Sequence, residues 1–448
     1  MDMDKILIVG NGAREHAIAE AIARSPQRPM LYAFAKSRNP GIIELAAEYE
    51  VGDIDDGEAV GDYAEDSGID LAVVGPEGPL EAGIVNALVE RDIPCASPTK
   101  EAAAIETSKL FARELMDKYS VSGRNSWEVF DDPSKAAEFI DSQEEPVVVK
   151  PIGLTGGKGV KIVNPQLTGQ LKDMEEAKAY ASRVIEEGIG GSEEVLVERL
   201  LVGEEFTLQA FVDGKRVVPT PLVQDNKFAY EGDTGPFTGS MGSFSDSNHL
   251  LPFMTATDYY KAITVMEDTV SALGKEGLDY RGALYGGFIL TAEGPKILEF
   301  NARWGDPEAM NVLPILEGDF LEICWAMADG DLGRVSFGFQ EKATVCKYLA
   351  PEGYPTNPVE GKRIEIGDVL GSDALVHFAS VDQREDGIYM SRSRALACTG
   401  VADRMSEAER IAEDAISKVQ GPVFYRKDIG RSELVEKRRK HMRDVRRA

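Results

Sequence analysis

The chain has 448 residues, long for one hydrophobic core and enough for about three domains. Hydrophobic residues make up 43% and charged residues 28%, which excludes wholesale disorder, and the net charge of −28 argues against nucleic acid as the main partner. No apolar run approaches the roughly 20 residues needed to span a bilayer, and Met1-Asp2-Met3-Asp4 leads into a strand without a basic signal region, so a cytoplasmic protein without membrane attachment is expected. The cysteines Cys95, Cys324, Cys346 and Cys398 show no CxxC spacing and the four histidines are dispersed, which predicts reduced thiols and no zinc or histidine metal site.

From about residue 5 to 100, apolar runs alternate with amphipathic stretches: Ile6 to Val9, Ala13 to Arg24, Met30 to Phe34, Leu71 to Val74 and Ala82 to Arg91. This is the pattern of a parallel α/β unit. Its first turn, Gly10-Asn11-Gly12-Ala13-Arg14-Glu15, follows a strand and opens a helix, as a dinucleotide site would. Glu15 stands where a third small residue should pack, and no acidic ribose ligand follows the second strand near Ala35-Lys36. The turn therefore predicts a phosphate or substrate site at a helix N-terminus rather than NAD. Gly75-Pro76-Glu77-Gly78-Pro79-Leu80 ends a strand at the same sheet edge, where open α/β sheets bind ligands; as a plain structural feature it is a rigid turn.

A helix is expected from Glu101 to Lys118, with Lys109 near its beginning and Thr107 or Ser108 as cap. Val147-Val148-Val149-Lys150-Pro151-Ile152-Gly153-Leu154-Thr155-Gly156-Gly157-Lys158-Gly159-Val160 reads as a buried strand feeding a glycine-rich loop that returns into another strand. Such a loop lets backbone N–H groups close over a polyphosphate while the lysine supplies counter-charge. It lacks the hydroxyl and following helix of a Walker A motif, and taken alone a glycine-rich turn between strands is more often a plain hairpin. A strand from Ser192 to Leu201 is followed by Gly203-Glu204-Glu205, a strand edge suited to adenine and ribose or simply an acidic turn. The glycine-rich run from Gly232 to Gly242 is expected to be a long polar functional loop. In Lys296-Ile297-Leu298-Glu299-Phe300-Asn301-Ala302-Arg303, a β pattern places Glu299 and Asn301 on one face, an oxygen pair suited to magnesium.

After Gly318 an amphipathic helix is expected to end near Met327, and residues from about 340 to 430 read as a separate α+β lobe. The basic stretch from Glu436 to Ala448 is expected to be a solvated helical tail, with subunit or nucleic-acid contact as alternatives.

Together these motifs resemble the glycinamide ribonucleotide synthetase family of ATP-grasp ligases over nearly the whole chain. The resemblance is carried by Val9-Gly10-Asn11-Gly12-Ala13-Arg14-Glu15-His16, Gly75 to Leu80, the Gly-Lys-Gly lid, Asp233-Thr234-Gly235-Pro236, Glu299 to Glu308, and Phe424-Tyr425-Arg426-Lys427-Asp428-Ile429-Gly430. It implies a multidomain α/β and α+β fold. An N-terminal parallel α/β domain would occupy residues 1–104, a two-part ATP-grasp module 105–330 with a lid subdomain at about 124–200, and a C-terminal α+β domain 331–448.

The resemblance further implies joining of glycine to 5-phosphoribosylamine with ATP and Mg2+ or Mn2+, by a monomer or homodimer. Lys109, Lys150, Gly157, Lys158 and Gly159 would meet the phosphates; Glu198, Leu200 and Glu205 would hold adenosine; Glu299 and Asn301 would hold the metal. Arg303, Asp225 and Lys227 would be catalytic, and Gly10, Gly12, Arg14, Glu77, Asp233, Thr234, Gly235, Pro236 and Asp306 would bind substrate. Asn226 and Phe228 depart from the QDHKR-like run common in the family, and Tyr285-Gly286-Gly287 offers no carboxylate where related enzymes place another metal ligand. The nearest alternative is an ATP-grasp ligase for a different acid and amine. An NAD-dependent oxidoreductase would rest on Gly10-Asn11-Gly12 alone, and a non-catalytic nucleotide sensor would be expected to lack a metal ligand or lid lysine.

Overall fold

The computed structural model describes residues 3–153, 159–164 and 170–447. The apolar runs near the N-terminus form a parallel sheet in the order Ala46–Val51, Met30–Ala35, Lys5–Val9, Leu71–Val74. Strands buried on both faces must be apolar throughout, and Ile6, Leu7, Ile8 and Val9 are fully covered. The helix Ala13–Ala23 is rich in alanine because it is enclosed on several sides: it packs on this sheet and against the Ala309–Val312 helix and the Leu375–Phe378 strand of the C-terminal region. The stretch from Ala82 to Arg91 holds the helix Ile84–Val89, while the Gly75 to Leu80 segment is more than a turn: it opens a short helix, Glu77–Ala82, which ends at Gly83 with φ +90°.

The single helix expected from Glu101 to Lys118 is likewise two, Lys100–Thr107 and Lys109–Lys118. Ser108 is extended at the break and caps the second, accepting a hydrogen bond from Phe111 N at 3.2 Å. A four-stranded antiparallel lid sheet then runs Trp127–Phe130, Val195–Arg199, Val147–Pro151, Lys161–Ile162, covered by helices Pro133–Asp141 and Met174–Glu187. Val147, Val149, Val195, Val197, Ala177, Ala181 and Val184 make its own small core. A second antiparallel sheet, Val217–Pro219, Glu204–Asp213, Arg281–Thr291, Gly294–Asn301, is backed by the Ala256–Lys275 helix through Val265, Met266, Val270 and Leu273.

The C-terminal sheet crosses the division expected at residue 331. Its order is Gln224–Asp225, Gly242–Ser245, Ala343–Pro351, Leu396–Ala402, Leu375–Phe378. Gly242 to Ser245 pair antiparallel with Lys347 to Thr344, so part of the expected ATP-grasp segment belongs to this sheet. The run from Gly232 to Gly242 is also not a simple long loop: Thr234–Phe237 folds back on Phe228–Tyr230 as a hairpin. The basic C-terminal stretch forms the helix Ser432–Val445, whose Leu434 and Met442 are buried. It is docked rather than solvated, because its cations meet carboxylates on the core sheet and hairpin. The four cysteines are buried free thiols. Among the described residues, no helix is long and apolar enough to cross a membrane.

Candidate active site

Glu299 and Asn301 lie at the end of the Gly294–Asn301 strand, where Glu299 pairs with Gly287 and Asn301 with Tyr285. Enclosure by protein opposes a charge on Glu299, but Lys227, Lys150, Lys109 and Arg303 prevail and hold its carboxyl below the usual range. Its side chain remains 45% exposed, so the charge is open to a ligand. With the Asn301 amide nitrogen turned to Glu106 Oε1 at 3.0 Å, its carbonyl oxygen is left for a cation. One carboxylate and one amide oxygen fit a magnesium ion that takes further oxygens from phosphate and water.

Lys227 links this strand to Glu204–Asp213, the strand beyond the intervening Arg281–Thr291. Its Nζ is 2.9 Å from Glu205 Oε2 and 4.0 Å from Glu299 Oε1. Burial opposes its charge, yet Glu205, Asp225 and Glu299 raise its pKa well above the ordinary value. Asp225, two residues earlier, is pushed upward by burial and by Glu205 and Glu299, with Lys227 opposing. The strand Gln224–Asp225 thus sets a carboxyl of raised proton affinity beside a firmly protonated ammonium.

Lys109 donates to Gly153 O at 2.7 Å, where the lid strand ends, and its pKa is lowered first by burial. Lys150 and Arg113 enclose Glu198: Arg113 Nε lies 2.6 Å from Oε1, and Lys150 Nζ contacts Oε2. Burial raises the Glu198 pKa, but Arg113 and Lys150 outweigh it and bring it down to about 2. The carboxylate expected beside adenosine faces two cations inside the protein, one lysine and one arginine. Leu200 N, also expected there, donates to Pro146 O at 2.9 Å. Gly157 and Lys158 lie outside the described residues, while Gly159 O accepts from Tyr180 Oη at 2.7 Å.

The N-terminal sheet reaches this site through Arg303. Its Nη2 is 3.2 Å from Glu106 Oε1 and its Nε 3.5 Å from Glu77 Oε2. Arg303 is the largest influence lowering Glu77, which falls to about 2. Arg14 Nη1 and Arg303 Nη1 both donate to Trp304 O, at 3.2 and 3.1 Å. Two guanidiniums from separate domains thus converge, a pairing suited to anionic ligands.

At the first turn, Gly10 has φ +119°, and a Cβ there would come 2.8 Å from Pro76 Cδ. The N–H of Gly12 is taken up within the turn. Glu15 Oε2 accepts it at 2.5 Å, the glutamate half of a capping box, while Glu15 Oε1 accepts from Arg14 Nε at 2.5 Å. Glu15 thus has a positive structural use, legible in the spacing from Gly12 to Glu15.

The remaining expected substrate residues divide. Asp233 bonds Arg426, Lys437 and Arg438 rather than presenting a free carboxylate. It has φ +63° and opens the strand carrying Thr234, Gly235 and Pro236; Thr234 Oγ1 donates to Glu231 O at 3.0 Å. Asp306 pairs with Arg394 Nη2 at 2.9 Å and accepts from Tyr348 Oη. Sequence reasoning did not find Glu106, Arg113, Arg394 or Glu308 as site residues. Arg113 stands four residues after Lys109 on the same helix face, which is the only trace of it in the sequence. Glu308 is buried, accepts from Tyr285 Oη at 3.0 Å and Thr207 Oγ1 at 3.2 Å, and is pushed up to about 7 by burial and Asp225.

This architecture is shared. Profiles of the phosphoribosylglycinamide synthetase N domain, ATP-grasp (A) domain and C domain match residues 4–106, 107–309 and 344–432. The chain belongs to the phosphoribosylglycinamide synthetase family. It is similar to the phosphoribosylamine–glycine ligase of Methanopyrus kandleri, at 51% identity covering 99% of this chain and all of that protein. The ligase of the same name from Pyrococcus furiosus is also 51% identical, covering 99% of this chain and 98% of the relative. The crystal structure of phosphoribosylamine–glycine ligase from Thermotoga maritima superposes with a TM-score of 0.79 at 29% identity, covering 95% of this chain and 99% of that one. A biotin carboxylase from Campylobacter jejuni shares the fold at 15% identity, with a TM-score of 0.72 and coverage of 97% and 95%.

Proposed function

We propose that the chain joins glycine to 5-phosphoribosylamine with ATP, giving glycinamide ribonucleotide, ADP and phosphate in purine biosynthesis. The observation that carries this reading is the half-exposed Glu299 faced by Lys227, Lys150, Lys109 and Arg303, in a chain matching the ligase family end to end. Four cations around one carboxylate suit a polyphosphate and its metal.

A carboxylate is a poor electrophile, so the γ-phosphoryl group passes to a glycine carboxylate oxygen, breaking its bond to ADP. The amine nitrogen then attacks the glycyl phosphate carbonyl carbon, loses a proton and expels phosphate. Lys109 and Lys150 bind phosphates together with Lys158 and the backbone at Gly157 and Gly159. Glu205 orients the adenosine. Glu198 keeps Lys150 and Arg113 in place. Glu299 and Asn301 would hold Mg2+ or Mn2+, which when bound neutralises phosphate charge. Arg303 steadies charge on the transferring phosphoryl group, held between Glu77 and Glu106. Asp225 is placed to accept the amine proton, and Lys227 keeps its neighbouring carboxylates ordered. Gly10, Gly12, Arg14 and Glu77 bind the ribosylamine, with Thr234, Gly235, Pro236 and Asp306 lining the acceptor side.

The test is ADP release with ATP, magnesium, glycine and freshly generated phosphoribosylamine, each omitted in turn. ADP should depend on all four. Release indifferent to both co-substrates, or clear preference for another acid and amine, would defeat the reading.

A further inference from the structure

The family profiles end at residue 432, and the helix Ser432–Val445 lies just beyond. On a chain of net charge −28, residues 437–447 carry seven lysines and arginines. Several reach specific acceptors. Lys437 Nζ lies 3.1 Å from Asp233 Oδ2 and donates to Gly232 O at 3.1 Å. Arg438 spans two carboxylates, with Nη2 at 3.0 Å from Asp233 Oδ2 and Nη1 at 3.4 Å from Glu204 Oε2. His441 Nδ1 lies 2.6 Å from Glu204 Oε1, and Arg446 Nη2 lies 2.7 Å from Asp258 Oδ2. Leu434 and Met442 of the same helix are buried.

Both carboxylates gripped by Arg438 adjoin the candidate active site. Glu204 precedes Glu205, the partner of Lys227, and its Oε2 lies 3.5 Å from Gln224 Nε2, one residue before Asp225. Asp233 begins the strand Thr234–Phe237, which pairs with Phe228–Tyr230 immediately after Lys227. One arginine therefore braces both flanks of the Asp225–Lys227 segment. The side chains of Glu204 and Asp233 are only 5% and 8% exposed, so water does little to weaken this grip.

Resting on the ligase reading above, we propose that the C-terminal helix is a positioning element for the ligation step, with Arg438 holding the Asp225–Lys227 segment and its hairpin in register for the glycine and ribosylamine substrates. Arg438 does not touch the reacting atoms; it acts through Glu204 and Asp233. Lys109 and Lys150, which meet the ATP phosphates in that reading, rest on Gly153 O and Glu198, so phosphate binding does not run through Arg438.

Full-length Arg438→Gln and Arg438→Lys are compared with wild type in the omission assay, with separate kcat and KM for each substrate and a melting curve. Arg438→Gln is expected to lose about ten- to a hundredfold in kcat/KM for glycine or phosphoribosylamine, the scale of a small misplacement, while KM for ATP stays within about twofold. Arg438→Lys should restore part of that loss by retaining one charge. Equal constants for wild type and Arg438→Gln would overturn the proposal. So would equal losses toward all three substrates without rescue by lysine, the mark of a purely structural contact. If Arg438→Gln does not fold, Glu204→Gln cuts the same link from the other side and must give the same selective loss; unchanged constants there overturn the proposal. An inactive wild type would refute the ligase reading instead, which separates the two failures.

Discussion

Arg303 and Glu77 meet at 3.5 Å, Nε to Oε2, across the seam between the ATP-grasp core and the N-terminal sheet. Arg303 also bonds Glu106, so its guanidinium is held from two directions by groups more than 190 positions away in the chain. A planar fork fixed this way is preorganised for phosphoryl or acyl phosphate oxygens.

Arg303→Lys should therefore lower kcat on the order of a hundredfold, the usual loss for one oriented donor in the transition state. KM for ATP should move much less, because ground-state phosphate binding retains the lysines. Steady-state kinetics with ATP varied at saturating glycine and amine measure both; a change confined to KM would reduce Arg303 to a binding group.

Replacing Glu299 with Gln removes a half-exposed charge at nearly constant volume. The magnesium concentration for half-maximal activity should rise about tenfold or more, while thermal stability stays near that of wild type. An unchanged magnesium titration would remove Glu299 from the metal site.

Gly12→Asp places a carboxylate at the N-terminal turn, where an added Cβ already meets Glu15 Oε2 at 2.6 Å. KM for phosphoribosylamine should rise while ATP binding is nearly unchanged, and calorimetry of the wild type should detect no NAD or NADP binding. Tight NAD binding abolished by the substitution would revive a dinucleotide role.

Glu198→Gln leaves Arg113 and Lys150 buried without their counter-charge, at a cost of about 3–5 kcal/mol. The Glu198 carboxyl titrates at about 2 when folded against an ordinary 4.5. Its stabilisation is therefore complete above 4.5 and is lost as pH falls through about 2. Acid denaturation of the variant should be shallower across that window than that of wild type. Parallel curves would mean that Glu198 carries no such charge.

Sequence alone determined the features that depend on local periodicity and composition. The parallel N-terminal strands, the apolar run ending at Lys150, and Glu299 and Asn301 two apart on one strand follow from residue type and spacing, because burial on both faces demands continuous apolar residues and a pleat repeats every second position. The ordered motif set likewise identified the family.

Tertiary structure decided what long-range pairing alone can specify. The break at Ser108 lies within a stretch of helical pattern, and extended geometry there lets the second helix aim Lys109 and Arg113 at the lid. Gly242–Ser245 joins the C-terminal sheet because backbone hydrogen bonds to Lys347 and its neighbours satisfy its edge, and backbone groups carry no sequence label for their partner. The basic C-terminal helix read as a solvated tail because charge favours water when partners are unknown. Folding supplies those partners in Glu204, Asp233 and Asp258, and the ion pairs dock the segment on the protein.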